Sequence, residues 1–222
     1  MVWRINAEPS MYQCHEQTTA LIIVDMQRDF LEPGGFGEML GNDVSRLEPV
    51  IAVCKELLEV ARESKLTIVH TREGHLPDLS DLPETKRNRG KPGQQVGDLG
   101  PLGRILIRGS SGHSFLPELE PIKQEYVIDK PGKGAFFATD LQEILEREKV
   151  TSLILAGVTT EVCVHSTVRE ANDRGYDCLV IRDACGSYFP EFHSVALKMI
   201  SAQRGIFGKV TSFSEFSRAV NE

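Results

Sequence analysis

One of the five cysteines occupies a position at which its side chain could act as a nucleophile. Residues 152–157 form a continuous apolar run, which is typical of a strand buried on both faces. A Gly/Thr turn follows, and Cys163 then falls in the first turn of a predicted helix that Thr159 or Thr160 could cap. Because unpaired N–H groups at a helix N-terminus stabilise a thiolate, such a position can lower the pKa of a cysteine. Cys163 is therefore the candidate nucleophile.

An acid and an amine stand at the ends of two other apolar runs. Asp25 ends the run at 19–25, and Lys130 ends the run at 126–130. The carboxyl ends of parallel strands meet at one edge of a sheet, so these side chains would lie beside Cys163. A buried cysteine often only fills space, but complementary groups on three strand ends favour a site. There, Asp25 would accept the thiol proton, Lys130 would stabilise anions, and the thiolate would add to a carbonyl.

Helical and strand patterns alternate along the chain. The predicted helices cover 42–64, 139–148, 192–203 and the segment from Val210 to the C-terminus. The remaining predicted strands cover 66–71 and 178–185. This alternation predicts an α/β fold, a single Rossmann-like three-layer domain at 19–222 in which helices flank a mostly parallel sheet. Residues 1–18 are polar and irregular, and we expect them to form an N-terminal arm.

Composition narrows the possible partners. The chain has 222 residues, of which 41% are hydrophobic, and this is enough for one sizeable core. Its net charge of −7 argues against nucleic acid or an anionic membrane surface as a partner, and no apolar run is long enough to span a membrane. Five cysteines without a C-x-x-C spacing favour reduced thiols and a cytoplasmic protein. A small molecule is therefore the expected ligand.

Two glycine- and proline-rich segments are expected to lie over the site. Phe30 and Phe36 follow the Asp25 strand and could form a wall of a pocket, although ordinary packing would also explain them. Residues 72–121 show little periodicity and are interpreted as an excursion that covers the site and makes subunit contacts, which predicts a homo-oligomer. The basic run at 86–89, within this segment, is interpreted as a solvated face.

Four motifs together resemble those of the isochorismatase-like cysteine hydrolases, and of biuret hydrolases in particular. They are His70–Leu79, Asp129–Gly134, Gly157–Cys163 and Arg169–Gly175. The resemblance implies a catalytic triad of Asp25, Lys130 and Cys163. It also implies an oxyanion hole made by the backbone N–H groups of Thr159 and Cys163, with a cis peptide before Thr159.

The resemblance implies hydrolysis of a small linear ureide. Biuret would lose its terminal C–N bond through a covalent thioester, giving allophanate and ammonia in a homotetrameric enzyme. The distal end of such a substrate needs a hydrogen-bond donor and a group that both donates and accepts, and Lys133 and Gln203 match these needs and the resembled positions. Triuret, ureidoacrylate and nicotinamide hydrolysis remain alternatives, as does a non-catalytic scaffold.

A metal site is the last feature that the sequence addresses. Nicotinamidases, which the chain also resembles, bind zinc or iron through an Asp and two His residues in a D-x-H-x-x-x-H-like stretch. Here Glu73 and His75 supply an acid and one histidine, but Leu79 stands where the second histidine would be. Because a catalytic zinc needs three protein ligands, we expect neither a metal nor another cofactor.

Overall fold

A six-stranded sheet forms the centre of the structure, a computed structural model that describes residues 1–222. Its strands are β3 (Thr19–Val24), β4 (Thr67–Glu73), β7 (Tyr126–Lys130), β8 (Ser152–Val158), β9 (Asp177–Gly186) and β10 (Lys209–Thr211). They lie in the order β10-β9-β8-β3-β4-β7, and every pair is parallel. The chain therefore builds one half of the sheet outward from β3 and then crosses over to build the other half from β8. This is the doubly wound Rossmann order, and it confirms the predicted fold class.

Helices cover both faces of the sheet and complete three layers. The longer helices are α3 (Glu48–Glu63), α5 (Leu141–Arg147), α6 (His165–Asp173), α7 (Pro190–Gly205) and α8 (Phe213–Asn221). Alternate side chains of β3 point to opposite faces, so Leu21 packs with α3 and α8 while Ile22 packs with α5 and α6. None of these helices combines the length and the apolar character that a membrane span requires.

The segment 72–121 is more ordered than the sequence indicates. It contains α4 (Glu84–Arg87), a small hairpin of β5 (Leu99–Gly100) and β6 (Gly103–Arg104), and two short 3₁₀ turns. Ile105, Leu106 and Ile107 are buried, and the His75 N–H donates to the Leu106 carbonyl at 2.8 Å. These contacts hold the segment against the carboxyl edge of the sheet, together with the short helices α1 (Arg28–Leu31) and α2 (Phe36–Met39).

The predicted irregular N-terminal arm is instead a β-hairpin. Strands β1 (Val2–Ile5) and β2 (Tyr12–His15) pair antiparallel, and their buried side chains alternate with exposed ones. The ring of Trp3 packs edge-to-face on Phe216 of α8, with ring centroids 6.0 Å apart. The Tyr12 hydroxyl donates to the Asp177 carbonyl at 3.0 Å. The hairpin therefore belongs to the core on the α3 and α8 face.

The start of the last helix is also corrected. Val210, predicted to begin that helix, lies in the edge strand β10 and pairs with Val180. The helix begins at Phe213, where the Ser212 hydroxyl caps it by accepting from the Glu215 N–H at 3.3 Å. A strand of three residues is too short to show a periodicity, so the sequence pattern alone does not reveal it.

We expect Trp3→Ala to lower the free energy of unfolding by about 3–5 kcal/mol, because it empties a buried site between the hairpin and α8. Urea denaturation measures the change. Val2→Ala is the matched control, because Val2 is half exposed on the same strand and should change stability little. Equal stability of Trp3→Ala and the wild-type protein would show that the hairpin does not stabilise the domain.

Candidate active site

The strand order brings three predicted residues to one point on the carboxyl edge. Asp25 follows β3, Lys130 ends β7, and Cys163 lies in a π-helical turn between β8 and α6. The crossover from one half of the sheet to the other falls between β3 and β8, where ligands bind in this class of fold. Gly157 lets the two strands approach, since a Cβ there would lie 2.1 Å from the Val24 carbonyl oxygen.

A buried ion pair forms the centre of the site. The Lys130 Nζ lies 2.7 Å from the Asp25 Oδ2, and both side chains are 0% exposed. Thr71 donates its hydroxyl to the Asp25 Oδ1 at 2.7 Å, and the Lys130 Nζ donates to the Gly132 carbonyl at 3.0 Å. Burial opposes the charge on Lys130, but Asp25 and the other acidic groups of the site outweigh it and hold the pKa of Lys130 above its ordinary value.

Glu73 is a second buried carboxylate of the site, and the sequence did not predict it there. It ends β4 directly opposite Lys130 in the strand register. Its Oε1 lies 2.5 Å from the Lys133 Nζ, and its Oε2 accepts the thiol of Cys163 at 3.4 Å. The Gln27 side chain fixes it by accepting from the Glu73 N–H at 2.6 Å and donating to the Glu73 carbonyl at 3.0 Å. Glu73 therefore connects the thiol to both lysines.

Lys133 and Lys130 keep Glu73 ionised. Burial alone would raise the pKa of Glu73, but the two ammonium groups oppose it and hold that pKa below its ordinary value. From the sequence, Glu73 is predicted only as a possible metal ligand, and the strand before it is predicted to end at residue 71. Extending that strand by two residues would have placed Glu73 at the same edge as Asp25.

The surroundings of Cys163 favour the neutral thiol over the thiolate. Burial raises the pKa of the Cys163 thiol well above its ordinary value, Lys130 and Lys133 lower it, and the Asp25 and Glu73 carboxylates raise it again. The lowered pKa expected from the helix N-terminus is therefore wrong. Cys163 is 4% exposed, and desolvation outweighs the helix terminus.

The backbone beside Cys163 presents an unused hydrogen-bond donor. The Val158–Thr159 peptide is cis, and the Thr159 N–H donates to no acceptor in the chain. The Thr159 carbonyl accepts from the Val164 N–H at 3.2 Å and thereby closes the π-helical turn around Cys163. Thr159 and Cys163 both line a cavity of about 110 Å³. A developing negative oxygen in this cavity could accept from the free N–H group.

Three of the four predicted substrate contacts line the same cavity. Phe30 and Phe36 form part of its wall, and Lys133 lies beside Glu73. Tyr188, which the sequence did not indicate, also lines the cavity and donates its hydroxyl to the Phe30 carbonyl at 2.6 Å. A larger cavity of about 450 Å³ lies on the surface of α7 and includes none of the three triad residues.

Gln203 does not line this cavity, so the structure does not support it as a substrate contact within one chain. Its side chain is exposed, and its backbone has a φ of 51°. Arg204 follows in the same left-handed region with a φ of 69°. The helical φ/ψ angles of α7 stop at Ala202. The Gln203 side chain therefore does not project from a regular helix, although the sequence pattern predicts that it does.

The site does not have a donor set that suits a divalent metal. One ligand atom each from Asp25, Glu73 and Cys163 would lie within 4.8 Å of the others. However, the ammonium groups of Lys130 and Lys133 already pair with the two carboxylates. The one histidine of the nicotinamidase-like stretch, His75, faces the Asp81 carboxylate at 3.2 Å. A cation would have to displace both lysines.

The fold and the site together define a parallel α/β protein with a buried thiol–lysine–carboxylate centre. The Isochorismatase domain family matches residues 19–215. The chain therefore belongs to the isochorismatase family, as the sequence motifs indicated.

Individual relatives cover most of the chain. Ureidoacrylate amidohydrolase RutB from Acinetobacter baylyi is 29% identical over 96% of this chain and 87% of that protein. The crystal structure of a cysteine hydrolase from Pseudomonas syringae pv. phaseolicola covers all of this chain with a TM-score of 0.80 and 24% identity, and 97% of that chain is matched. An isochorismatase family protein from Desulfovibrio vulgaris matches 92% of this chain and 99% of its own, with a TM-score of 0.75 and 24% identity. The two structures share the fold.

We expect Glu73→Gln to make the Cys163 thiol more acidic. The carboxylate raises the pKa of the thiol, so its removal should shift the pH profile of alkylation by iodoacetamide to lower pH, followed at Cys163 by mass spectrometry. Glu118→Gln, an exposed change, should leave the profile where it is. An unshifted profile in Glu73→Gln would contradict the contact between the thiol and Glu73.

We expect Zn²⁺ to leave the thermal stability of the protein unchanged. A metal that binds the native state raises the melting temperature as its concentration exceeds its dissociation constant, but both carboxylates here are already paired with lysines. Differential scanning calorimetry with and without micromolar Zn²⁺ measures this. A rise that Asp25→Asn removes would show that the lysines yield to the metal.

Proposed function

We propose that the protein is a cysteine amidohydrolase that cleaves a C–N bond of a small linear ureide through a covalent thioester. One observation carries the proposal. The buried Asp25–Lys130 ion pair lies next to the Cys163 thiol, and the cavity that Cys163 lines also presents the free Thr159 N–H. A nucleophile, a proton acceptor, a fixed positive charge and an oxyanion donor are the four parts that acyl transfer requires.

The reaction begins when the ureide carbonyl enters the cavity. Asp25 accepts the thiol proton while the sulfur attacks the carbonyl carbon, and Lys130 balances the negative charge. The Thr159 and Cys163 N–H groups stabilise the resulting oxyanion. The proton transfer is assigned to Asp25 because the resembled triad contains it. Glu73, whose pKa two lysines lower, is assigned the role of a fixed charge that accepts the hydrogen bond of the resting thiol.

Collapse of the tetrahedral intermediate breaks the C–N bond. Asp25 returns its proton to the departing nitrogen, which leaves as ammonia or as an amine, and a thioester to Cys163 remains. A water molecule then gives a proton to Asp25 and attacks the thioester. The acid product leaves, and the proton returns to the sulfur. Asp25 therefore acts as base and acid in turn.

The size and walls of the cavity suit a small, flat substrate. Phe30 and Phe36 provide apolar walls, and Lys133 provides a donor beside the sulfur. Biuret, predicted from the sequence motifs, fits these features as a neutral ureide. The ureidoacrylate relative supports a second candidate, a ureide that carries a carboxylate. Nicotinamide hydrolysis is disfavoured by the donor set, and a non-catalytic scaffold would have no use for the buried charges.

Two further predictions concern the protein as a whole. A homotetramer remains expected, and the exposed apolar side chains on α7, such as Phe192, Val195 and Met199, would suit a contact between copies. A cytoplasmic location also stays a prediction. Both are independent of the chemistry proposed above.

We expect Cys163→Ser to abolish ammonia release from every ureide that the wild-type protein hydrolyses, because a hydroxyl is a far weaker nucleophile than a thiolate near neutral pH. A coupled ammonium assay across biuret, ureidoacrylate and nicotinamide measures this. Cys178→Ser is the matched control, because Cys178 is buried at the opposite end of the sheet. Ammonia release by Cys163→Ser above a few per cent of wild type would remove Cys163 as the nucleophile.

A further inference from the structure

A second cavity continues outward from the site. Its volume is about 130 Å³, and it shares Phe36, Leu40, Glu73 and Lys133 with the cavity that contains Cys163. A linear molecule whose carbonyl lies at the sulfur would therefore extend past Lys133 into this outer cavity. The outer wall is formed by the segment around α4, including Lys86 and Arg89.

The basic run at 86–89 thus contributes two of its residues to a cavity. The Lys86 ammonium donates to the Pro131 carbonyl at 2.9 Å, which places it beside the loop that carries Lys130 and Lys133. Neither Lys86 nor Arg89 forms an ion pair with a carboxylate of the chain. The interpretation of this run as a solvated face is therefore incomplete.

The combined cavity has an excess of positive charge. Three cationic side chains, Lys86, Arg89 and Lys133, line the two cavities with only one carboxylate, Glu73. The Asp25–Lys130 pair lies outside the lining and adds no net charge. Burial lowers the pKa of His75, which also lines the outer cavity, so the imidazole adds no positive charge near neutral pH.

Nearby acids do not neutralise this charge. The Asp81 carboxylate accepts from the Leu76 N–H and faces Arg108, and the Asp98 carboxylate accepts from the N–H groups of Gly93 and Gln95. Burial lowers the pKa of Lys86, and the positive charges of Lys133, Lys130 and Arg89 lower it further, against the attraction of Glu73. The protein as a whole has a net charge of −7, but the outer end of its site contains two cations that form no ion pair, Lys86 and Arg89.

We propose that Lys86 and Arg89 form a carboxylate-binding subsite, and that the substrate is a ureide with an anionic group at its distal end. The proposal rests on the proposed function, because it takes the reacting carbonyl to lie at Cys163. A carboxylate in the outer cavity satisfies both unpaired cations through charge-assisted hydrogen bonds. A neutral ureide such as biuret leaves them without a partner, so the charge pattern favours the carboxylated candidate.

The test compares two substrates that differ only in charge. They are 3-ureidopropionate and its carboxamide, and the carbon dioxide set free is measured after any carbamate has decayed, because hydrolysis of the carboxamide group itself would also release ammonia. We expect the wild-type protein to favour the acid over the carboxamide in kcat/KM by about tenfold or more, because a hydrogen bond between charged groups contributes more than a neutral one. Lys86→Gln and Arg89→Gln should each reduce this ratio about tenfold, mainly through a higher KM for the acid.

Lys91→Gln is the matched control. It removes one positive charge from the same exposed segment, but Lys91 does not line the cavity. The ratio should therefore keep its wild-type value. A wild-type ratio near one, or an equal fall of the ratio in all three variants, would overturn the subsite and leave the amidohydrolase proposal intact.

If no ureide is hydrolysed, equilibrium binding can still test the carboxylate-binding subsite separately from the amidohydrolase function. Calorimetric titration of both compounds onto Cys163→Ser, alone and combined with Lys86→Gln or Arg89→Gln, needs no turnover. Preferential binding of the acid that either charge change removes would support the subsite even where the amidohydrolase assignment fails. Equal binding of the acid and the carboxamide would overturn the subsite.

Discussion

The structure depends on a cluster of charges that is buried at the carboxyl edge of the sheet. Desolvating Lys130 and Asp25 costs several kcal/mol for each ion unless a partner and further hydrogen bonds compensate it. Here Asp25 receives the Thr71 hydroxyl as well as the ammonium group, and Lys130 donates to a backbone carbonyl. Glu73 and Lys133 form a second pair beside the first. Removing Asp25 or Lys130 would leave its partner as an unpaired charge at a fully buried position, whereas Lys133, with 41% of its side chain exposed, depends less on its partner.

The topology of the sheet makes such a cluster possible. Strands β3, β4, β7 and β8 are neighbours and run in the same direction, so residues far apart in sequence leave the sheet at one edge. The close approach at Gly157 brings the Cys163 turn toward Asp25. The segment 72–121 then covers this edge through backbone hydrogen bonds, which reduces the access of water and strengthens the electrostatic interactions beneath it.

The sequence predicts the features that depend on long, regular patterns and misses those set by a few residues. Asp25, Lys130 and Cys163 follow apolar runs, and the convergence of parallel strands brings them together without knowledge of any contact. The sequence does not predict Glu73 as a site residue because the predicted strand ends at residue 71, two residues before the observed end of β4. Gln203 stays outside the cavity of this chain because the backbone turns left-handed there, which a helix pattern does not show. The cysteine pKa was misjudged because the helix terminus is visible in the sequence, whereas burial and two carboxylates are not.

The charges around Cys163 also explain why a protonated thiol is compatible with the proposed reaction. Two ammonium groups already balance two carboxylates around Cys163, so a resting thiolate would be a third anion in a desolvated space. In the proposed reaction, attack on a carbonyl would move this negative charge onto the substrate oxygen, where the Thr159 N–H is free to stabilise it, while the proton would stay on a carboxylate nearby. The arrangement therefore favours the charge distribution of the transition state over that of a free thiolate, which is the difference that accelerates a reaction.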